Sequence, residues 1–468
     1  MSCATVLWNA DLIHRYDLAG PRYTSYPTAP QFVEGYPQSE VDNAIARSNQ
    51  AGRPLSLYFH IPFCDTICYY CGCNKIVTAN KRRAQPYLNA LHKEIALRAQ
   101  QVESHRPVNQ LHWGGGTPTF ISDDEKRELM RVTAEHFNLA GDDSGEYSIE
   151  IHPGGLALDS LGVLREIGFN RLSMGVQDFN PQVQMAVNRF NSVEEVAALA
   201  QRAKSEGFLS LSMDLIYGLP HQSVATMTET LQHIIALDPE RLSLFNYAHM
   251  PHLFKSQKQI DESGLPSAQE KLAILKSAIG QLQAADYVYV GMDHFAKPCD
   301  DLVVAQRQGT LQRNFQGYAT HGNCDLLAFG VSSISAVDSI FAQNHKDIPS
   351  YVNALSQGTL PVAKGLSLNQ EDLLRRAVIN QLICQFECDF ATISEQWKIN
   401  FEQHFAQELA QLKPMINDGL ILLTEHGLRV TDQGRLLIRR ICMVFDEYLS
   451  PGKAAAQQSL RARYSKIL

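Results

Sequence analysis

The sequence predicts an α/β fold in which parallel strands alternate with helices, followed by a mostly helical C-terminal region. Short apolar runs typical of buried strands, such as LSLYFHI (55–61) and LSMDLIYG (211–218), alternate with segments of helical periodicity such as SVEEVAALAQRAKSEG (192–207). This alternation is typical of βα units that build a parallel sheet. The chain has 468 residues, 45% of them hydrophobic, which is enough for about two or three domains.

Six strand–helix units follow one another between residues 55 and 246. The apolar runs predict strands at 55–61, 110–113, 147–152, 171–176, 211–218 and 241–246, and the periodic segments predict helices at 81–100, 192–207 and 224–238. A further strand at 287–296, after a helix around 269–285, is predicted to extend the sheet. Function in such folds collects at the C-terminal strand ends. A cysteine-rich loop and the glycines at 114–116 fall at those ends.

From about residue 366 the pattern changes to helices, then a hairpin and a last helix, an order that resembles a winged helix. Residues 366–448 carry eight Lys/Arg against twelve Asp/Glu, and this acidic balance is contrary to nucleic-acid binding. A domain that covers the active site is therefore the favoured interpretation.

Charge and hydropathy exclude several classes of partner. The net charge of −8 provides no general attraction for nucleic acid or an anionic membrane. No export signal is visible at the N-terminus, and no uninterrupted apolar stretch approaches membrane-spanning length. The sequence therefore predicts a cytoplasmic protein without a nucleic-acid or membrane partner, and a monomer is the default expectation.

Four of the ten cysteines lie within ten positions, at Cys64, Cys68, Cys71 and Cys73. Zinc sites usually pair two such knuckles, and no second knuckle follows here. A compact loop with three thiolates suits an iron–sulfur cluster instead. Three ligands on a four-iron cube leave one iron open, where a substrate or cofactor can bind. Zinc binding and simple redox sensitivity stay open as alternatives on the cysteines alone.

The cysteine spacing CxxxCxxC after a strand, followed by a triple-glycine turn, resembles the radical S-adenosylmethionine superfamily. Longer strings are more specific and resemble the oxygen-independent coproporphyrinogen III oxidase family along nearly the whole chain. They are RYTSYPT (22–28), YFHIPFC (58–64), LHWGGGTPT (111–119), GVQDFN (175–180), DLIYGLP (214–220), FNYAH (245–249) and RNFQGY (313–318). The resemblance implies a partial (β/α)6 barrel with an N-terminal extension.

With that resemblance the chain is predicted to have four segments. Residues 1–48 would be an N-terminal segment covering the active site, and residues 49–362 the barrel domain with its extension. Residues 363–450 would form the winged-helix-like lid, and residues 451–468 a basic tail.

The resemblance also implies the cofactor site. Cys64, Cys68 and Cys71 would hold one four-iron, four-sulfur cluster, with Cys73 beside it and not a ligand. One S-adenosylmethionine would contact Tyr58, Gly115, Glu150 and Ile334. A second would contact Tyr70, Gly116, Thr117, Gln177, Arg189, Asp214 and Ala248. Tyr58, His60 and Gln316 are the candidate catalytic residues, although a buried structural role for His60 is an equal alternative.

Two of these acids also stand out from the sequence pattern alone. Glu150 alternates with Ile149 and Ile151, so it points to the opposite side of its strand from them. Asp214 is an acid within an apolar strand, which is costly unless it is paired. A carboxylate that faces a barrel interior in this way favours a functional site over a solvated surface.

The implied activity is the oxidative decarboxylation of coproporphyrinogen III to protoporphyrinogen IX, in which two propionates become vinyl groups. A 5′-deoxyadenosyl radical would remove the hydrogen, and an external electron donor and acceptor would be required. Arg22 and Arg313 are the candidates for binding propionates, because guanidinium groups pair well with carboxylates.

The chain departs from the family pattern in one place. After SIE the family typically has an acid, Pro and Arg, whereas this chain has His152 and Gly154 around the proline. Two alternatives follow from the resemblance. A haem-binding chaperone of the same fold is disfavoured by Cys73 and by the RNFQGY segment. A radical enzyme of anaerobic haem breakdown has the His152 change as its only support.

Overall fold

The computed structural model describes residues 5–449, which pack as two compact units. The barrel unit comprises Phe32–Lys271 and Asn323–Ser367. The helical unit comprises, among the described residues, 5–31, 272–322 and 368–449. Each unit is assembled from separate stretches of the chain, so four consecutive domains stay a prediction. The predicted basic tail at 451–468 lies outside the described residues.

The barrel unit contains the six predicted parallel strands, each paired with the next. In chain order, the first to sixth strands are Leu55–Ile61, Pro107–Gly115, Glu146–Ile151, Arg171–Gln177, Ser210–Tyr217 and Arg241–Asn246. Their apolar residues form a buried core, in which Phe59, Trp113, Ile149 and Met174 have no exposed surface. The α/β class and the partial (β/α)6 barrel are confirmed.

Helices follow these strands and pack their apolar faces on the sheet. They are Ala84–Ala99, Asp123–His136, Asp159–Glu166, Pro181–Val187, Val193–Ser205 and Val224–Leu237. Two of these helices begin with a capping box. The side chains of Ser122 and Ser192 accept from the backbone N–H of Glu125 and Glu195, and each Glu side chain accepts from the backbone N–H of its serine. Three helices, at 123–136, 159–166 and 181–187, had not been predicted.

The rest of the barrel unit extends the sheet beyond the first strand. Asp325–Phe329 pairs in parallel with the first strand, and Ile334–Val337, Ile340–Asn344, Val362–Ser367 and Val33–Glu34 continue in antiparallel order. Helices Gln38–Ala51 and Ile348–Ser356 and the short strands Asn138–Leu139, Phe63–Cys64 and Ile76–Val77 complete the regular elements.

Within the helical unit, residues 368–449 have the order predicted for a winged-helix-like domain. The helices of the whole unit are Ala10–Tyr16, Asp301–Arg307, Gln370–Gln385, Phe390–Trp397, Phe401–His404, Ala406–Asn417 and Ile438–Cys442; its strands are Gln312–Asn314, Gly317–Ala319, Glu387–Asp389, Ile421–Thr424 and Gly427–Val430. The helix Ala268–Ala284 matches the prediction and carries the chain from one unit to the other.

The segment predicted as one further strand of the sheet is strand-forming, but it contains two strands. Residues 287–296 form a hairpin of Val288–Gly291 and His294–Ala296. The chain reverses at Met292, whose φ of 55° lies in the left-handed region that tight turns use. The apolar alternation on both sides of this turn concealed it. No helix among the described residues is long and apolar enough to cross a membrane.

Candidate active site

A cavity of about 670 Å³ opens at the carboxyl ends of the barrel strands. Most of the predicted cofactor residues line it together. They are Cys64, Cys68, Tyr70, Cys71, Gly115, Gly116, Thr117, Glu150, Gln177, Arg189 and Asp214. The cavity therefore brings together side chains that are spread over about 150 residues of sequence.

The cysteine loop is fixed at its base and along its length by backbone hydrogen bonds. The N–H of Ile76 donates to the Pro62 carbonyl at 2.7 Å, and that of Thr78 donates to the Cys64 carbonyl at 2.9 Å. The loop is also anchored after the fourth strand, because Asn188 Nδ2 donates to the Ile67 carbonyl at 2.7 Å. These bonds hold the thiols at the cavity rim.

Each of the three thiols accepts a hydrogen bond. Thr117 Oγ1 lies 3.6 Å from Cys64 Sγ, and Arg189 Nη1 lies 3.7 Å from Cys68 Sγ. The N–H of Cys73 lies 3.4 Å from Cys71 Sγ. Donors and a cation beside sulfur favour the thiolate, the form that binds iron. The donor set therefore fits an iron–sulfur cluster with Cys73 as a neighbour.

Two further observations describe the thiols. Cys73, and then Lys75, lower the pKa of the Cys71 thiol to about 6, whereas burial raises that of Cys64 to about 11. Among the described residues, no three His, Cys, Asp or Glu side chains are grouped closely enough to hold a single metal ion.

Glu150 is held as an anion on the third strand. The N–H of Gly115 donates to its Oε2 at 3.1 Å, and His112 Nε2 lies 3.4 Å from its Oε1. Burial alone would raise the Glu150 pKa, but His112 and Gly115 outweigh it, so the pKa is lowered. The side chain is 47% exposed, and because it lines the cavity a ligand can reach it.

His112 is a residue that sequence reasoning missed. Its Nδ1 is 2.6 Å from Ser148 Oγ, and its ring stacks on Tyr58 at 5.9 Å between centroids. Tyr58, His112 and Ser148 are register partners on the first three strands. The signal in the sequence was alternation, which places His112 on the same side of its strand as Gly114.

Asp214 on the fifth strand has a different environment. It lies opposite Gly175 on the fourth strand and Ser243 on the sixth. Ser173 Oγ donates to its Oδ2 at 2.9 Å, and Ser243 also hydrogen-bonds it. Burial raises the pKa of Asp214 to about 6, because these hydroxyls offset only part of the desolvation.

Gln177 and Arg189 present unsatisfied polar atoms. A bulge between Gly175 and Gln177 gives Gln177 a left-handed φ of 70°. Within residues 5–449, Gln177 Oε1 and Arg189 Nε are buried without a hydrogen-bond partner. Both residues line the cavity. Buried polar atoms normally have partners, so these two atoms fit a site that a polar ligand completes.

Glycine is required at two positions of the triple-glycine turn. Gly115 has a left-handed φ of +116°, and a Cβ there would lie 2.6 Å from the His60 ring. A Cβ on Gly116 would lie 2.7 Å from the Pro62 carbonyl. The turn packs backbone directly against the strand that leads into the cysteine loop, which no larger residue permits.

Two candidate catalytic residues lie behind the cavity wall. The Tyr58 hydroxyl is hydrogen-bonded to His60 Nδ1 at 3.1 Å, and His60 Nε2 is hydrogen-bonded to the Asn74 carbonyl at 2.9 Å. His60 is buried, and burial lowers its pKa. Its contacts join the first strand to the far end of the cysteine loop, which fits the structural alternative for His60.

Two other predicted cofactor contacts lie outside the cavity lining. Ile334 begins a strand and is paired with Gln343. Ala248 follows the sixth strand, and its carbonyl accepts from Gln257 Nε2 at 3.2 Å. Gln257 also donates to the Tyr70 carbonyl at 3.0 Å, so it connects the sixth-strand loop to the cysteine loop.

The remaining predicted residues belong to the helical unit. Arg22 pairs with Asp293 at 3.2 Å, and Gln316 is exposed in the turn of a hairpin. The Arg313 guanidinium lies 4.8 Å from the centre of the Tyr318 ring. Its Nε and Nη1 are buried without a partner among the described residues.

His152 lies where alternation predicts, on the side of Glu150 and in the cavity wall. Its Nδ1 accepts the Gly154 N–H at 3.0 Å. Burial, and then Arg189, lower the His152 pKa to about 3, so the ring is neutral at pH 7. The cavity thus has a neutral acceptor at this position in the place of an acid.

Comparison with known proteins gives consistent matches. Residues 58–234 match the radical SAM superfamily and residues 368–437 match the HemN C-terminal domain. A Pseudomonas aeruginosa protein named oxygen-independent coproporphyrinogen III oxidase is 50% identical to this chain, and the match covers 95% of this chain and 97% of the relative. The Escherichia coli protein of the same name is 48% identical, and the match covers 98% of this chain and 100% of the relative. The solved structure of the Escherichia coli coproporphyrinogen III oxidase HemN is described as that of a radical SAM enzyme. It matches this chain with a TM-score of 0.91 at 47% sequence identity, and the match covers 95% of this chain and 100% of the Escherichia coli chain.

Proposed function

The chain belongs to the family of oxygen-independent coproporphyrinogen III oxidases, and from this membership we propose that it removes two CO₂ from coproporphyrinogen III, turning two propionates into the vinyl groups of protoporphyrinogen IX. The observation that carries the proposal is the single cavity in which three hydrogen-bonded thiols stand beside an anionic Glu150 and a cationic Arg189. Family membership implies an iron–sulfur cluster and S-adenosylmethionine, and these residues fit both.

The cluster and S-adenosylmethionine, when bound, supply the electron and the radical that removes a hydrogen from the substrate. The chain contributes position and charge. Cys64, Cys68 and Cys71 would hold the cluster, and Glu150 would accept hydrogen bonds from the ammonium or hydroxyl groups of S-adenosylmethionine. Tyr58 and His60 position the loop from behind.

A second S-adenosylmethionine is part of the proposal. The unsatisfied atoms of Gln177 and Arg189 support it, since a guanidinium and an amide suit a carboxylate and an amine. Asp214 would face the same molecule. Equilibrium binding to the reconstituted protein should saturate at two molecules per chain, and saturation at one would contradict this part.

Arg22 and Arg313 are proposed to bind the substrate, and Gln316 is proposed as a catalytic residue. The buried, unpartnered Nε and Nη1 of Arg313 support this role, because a propionate would satisfy both. Arg313→Lys should then raise KM for coproporphyrinogen III about tenfold, the cost of one lost charged hydrogen bond. Unchanged KM would contradict the assignment.

We further propose a cytoplasmic monomer that uses an external electron donor and acceptor. Light scattering on the reconstituted protein tests the monomer, and a dimer mass would contradict it.

Anaerobic turnover tests the function. The reconstituted protein is mixed with coproporphyrinogen III, S-adenosylmethionine, a reductant and cell extract as acceptor, and the product masses are read. Loss of two CO₂ with formation of 5′-deoxyadenosine is expected. Cys68→Ser should abolish both, whereas Cys73→Ser, the matched control on the same loop, should retain the cluster and most activity.

Other outcomes would overturn the assignment. Deoxyadenosine without decarboxylated porphyrin would keep the radical chemistry but move the substrate elsewhere, and a methylated porphyrin would indicate haem breakdown. Tight haem binding without turnover would indicate the chaperone. If deoxyadenosine forms without decarboxylated porphyrin, His152 is the first residue to change back to the acid that is typical of the family.

A further inference from the structure

The stretch that contains the cysteine loop is strongly basic in an acidic protein. Residues 66–93 include five Lys or Arg and no Asp or Glu, whereas the whole chain has a net charge of −8. Three of these cations are consecutive, at Lys81, Arg82 and Arg83, and with Asn80 they form what we call the basic turn (residues 80–83). Lys75 belongs to the cofactor site through Cys71, but that site does not account for Arg82 and Arg83.

The fold holds the basic turn beside the first cluster cysteine. Phe63–Cys64 pairs in parallel with Ile76–Val77, so that Cys64 and Val77 are register partners. The Lys81 ammonium then reaches Asp65, next to Cys64, at 2.8 Å. The cavity that holds the three thiols is lined by Lys81 and Lys75 as well.

The turn is capped, and two of its three cations are not neutralised. Asn80 caps it by accepting the Arg82 N–H at 3.1 Å, and the Lys81 ammonium lies 3.9 Å from the centre of the Phe120 ring. Arg82 and Arg83 are exposed, and no carboxylate of residues 5–449 pairs with either of them. Both are absent from the cavity lining, so their charge faces outward.

We propose that the basic turn is the docking site for an acidic protein that delivers single electrons to the cluster. The proposal rests on the proposed function, which requires an external donor. In the step, the reduced carrier loses one electron and the cluster gains it, and no bond is formed or broken. Val77, which is 40% exposed, provides a small apolar contact among the cations.

Charge complementarity supports an acidic protein as the partner. Opposite charges speed the encounter of transient partners and orient them, and electron-transfer interfaces are small. The unpaired Arg82 and Arg83, close in sequence to the exposed Val77 that is paired with Cys64, provide such a surface. A porphyrin bound inside the cavity would use inward-facing groups instead, and Arg82 and Arg83 face outward.

Charge reversal tests the surface by binding. Oxidised flavodoxin serves as the acidic one-electron carrier, and its Kd for the reconstituted protein is measured by calorimetry at low and physiological ionic strength. Arg82→Glu with Arg83→Glu should raise Kd about tenfold or more at low ionic strength and flatten its salt dependence. The control, Lys276→Glu with Lys413→Glu, makes the same charge change at exposed lysines of the helical unit and should change Kd less than about twofold.

Reduction kinetics separate this proposal from the proposed function. The cluster is reduced either by reduced flavodoxin or by reduced methyl viologen, a small cation that needs no docking surface. The Arg82/Arg83 variant should slow only the flavodoxin reaction, by about tenfold, and should decarboxylate coproporphyrinogen III normally with viologen. Equal effects of the two double variants would overturn the docking site. Weaker porphyrin binding with unchanged flavodoxin binding would overturn it too, and would assign the cations to the substrate.

Discussion

Glu150 and Asp214 are both strand acids in the wall of one cavity, yet their carboxyl groups have opposite tendencies. Glu150 accepts from the Gly115 amide and His112, and its pKa is lowered. Asp214 has only serine hydroxyls, and burial raises its pKa to about 6. Burial raises the pKa of both carboxyl groups, and the donors around each decide whether that effect is overcome.

The two positions also influence each other. The negative charge of Glu150 contributes to the raised pKa of Asp214. An enzyme that must place a cationic cofactor in this cavity gains from having one acid that stays anionic. The second acid can then change its protonation when a ligand arrives.

The largest effect is expected from Gly115→Ala. The new Cβ would lie 2.6 Å from the His60 ring at a left-handed φ, so the turn must move and the hydrogen bond to Glu150 is lost. S-adenosylmethionine binding should weaken about 100-fold, or about 3 kcal/mol. Calorimetry on the reconstituted protein measures it.

The control for that variant is Gly207→Ala. Gly207 also has a positive φ, of +80°, but a Cβ there would meet nothing within 4 Å. It should cost about 1 kcal/mol of folding stability and leave S-adenosylmethionine binding unchanged. Equal losses of binding in both variants would show that the contact with His60 is irrelevant.

A smaller loss is expected from His112→Phe, which keeps the ring on Tyr58 but removes the donor to Glu150. The affinity for S-adenosylmethionine should fall about tenfold. The pH below which affinity is lost should also rise, because the Glu150 pKa rises when the donor is removed. His112→Gln, which retains an amide donor, should recover much of the affinity. If the pH profile of His112→Phe is the same as that of the wild type, His112 does not lower the Glu150 pKa.

Asp214→Asn tests the other acid through stability. The folded pKa of about 6 lies above the ordinary 3.8, so the folded state binds the proton more tightly. The free energy of unfolding should therefore fall as pH rises from about 4 to about 6, by about 1–2 kcal/mol given partial exposure to the cavity.

The asparagine variant should lose that slope in denaturant titrations across the same pH window. Asp159→Asn, at a carboxylate whose side chain is 99% exposed, should keep the wild-type slope and serves as the control. A wild-type free energy that rises over this window would contradict the raised pKa.

The smallest effect is expected from Ser173→Ala, which removes one hydroxyl donor to Asp214. The loss should be about 1 kcal/mol at neutral pH, and the pH window of the stability slope should extend upward. Ser212→Ala, two residues before Asp214 on the same strand, is the control and should leave the window unchanged. If the stability slope covers the same pH window in the wild type, in Ser173→Ala and in Ser212→Ala, Ser173 has no influence on the Asp214 pKa.

Local patterns were sufficient for much of the fold. The six strands from 55 to 246 were predicted near their observed bounds, because alternation and apolar runs depend on neighbouring residues. The hairpin at 288–296 was missed because its two strands have the same apolar pattern as one long strand. The assembly of each unit from separate stretches was likewise invisible, since it depends on contacts between distant segments.

By itself, the sequence determined the cysteine spacing, the glycine turn, the parallel strands and the side of the third strand on which Glu150 lies. These follow from local chain geometry, in which the period of a strand is two residues. The tertiary structure alone decided that His112 lies between Ser148 and Glu150, and that Asp214 accepts hydrogen bonds from serine hydroxyls. Strand register sets which side chains become neighbours, and those neighbours determine the charge of each carboxylate.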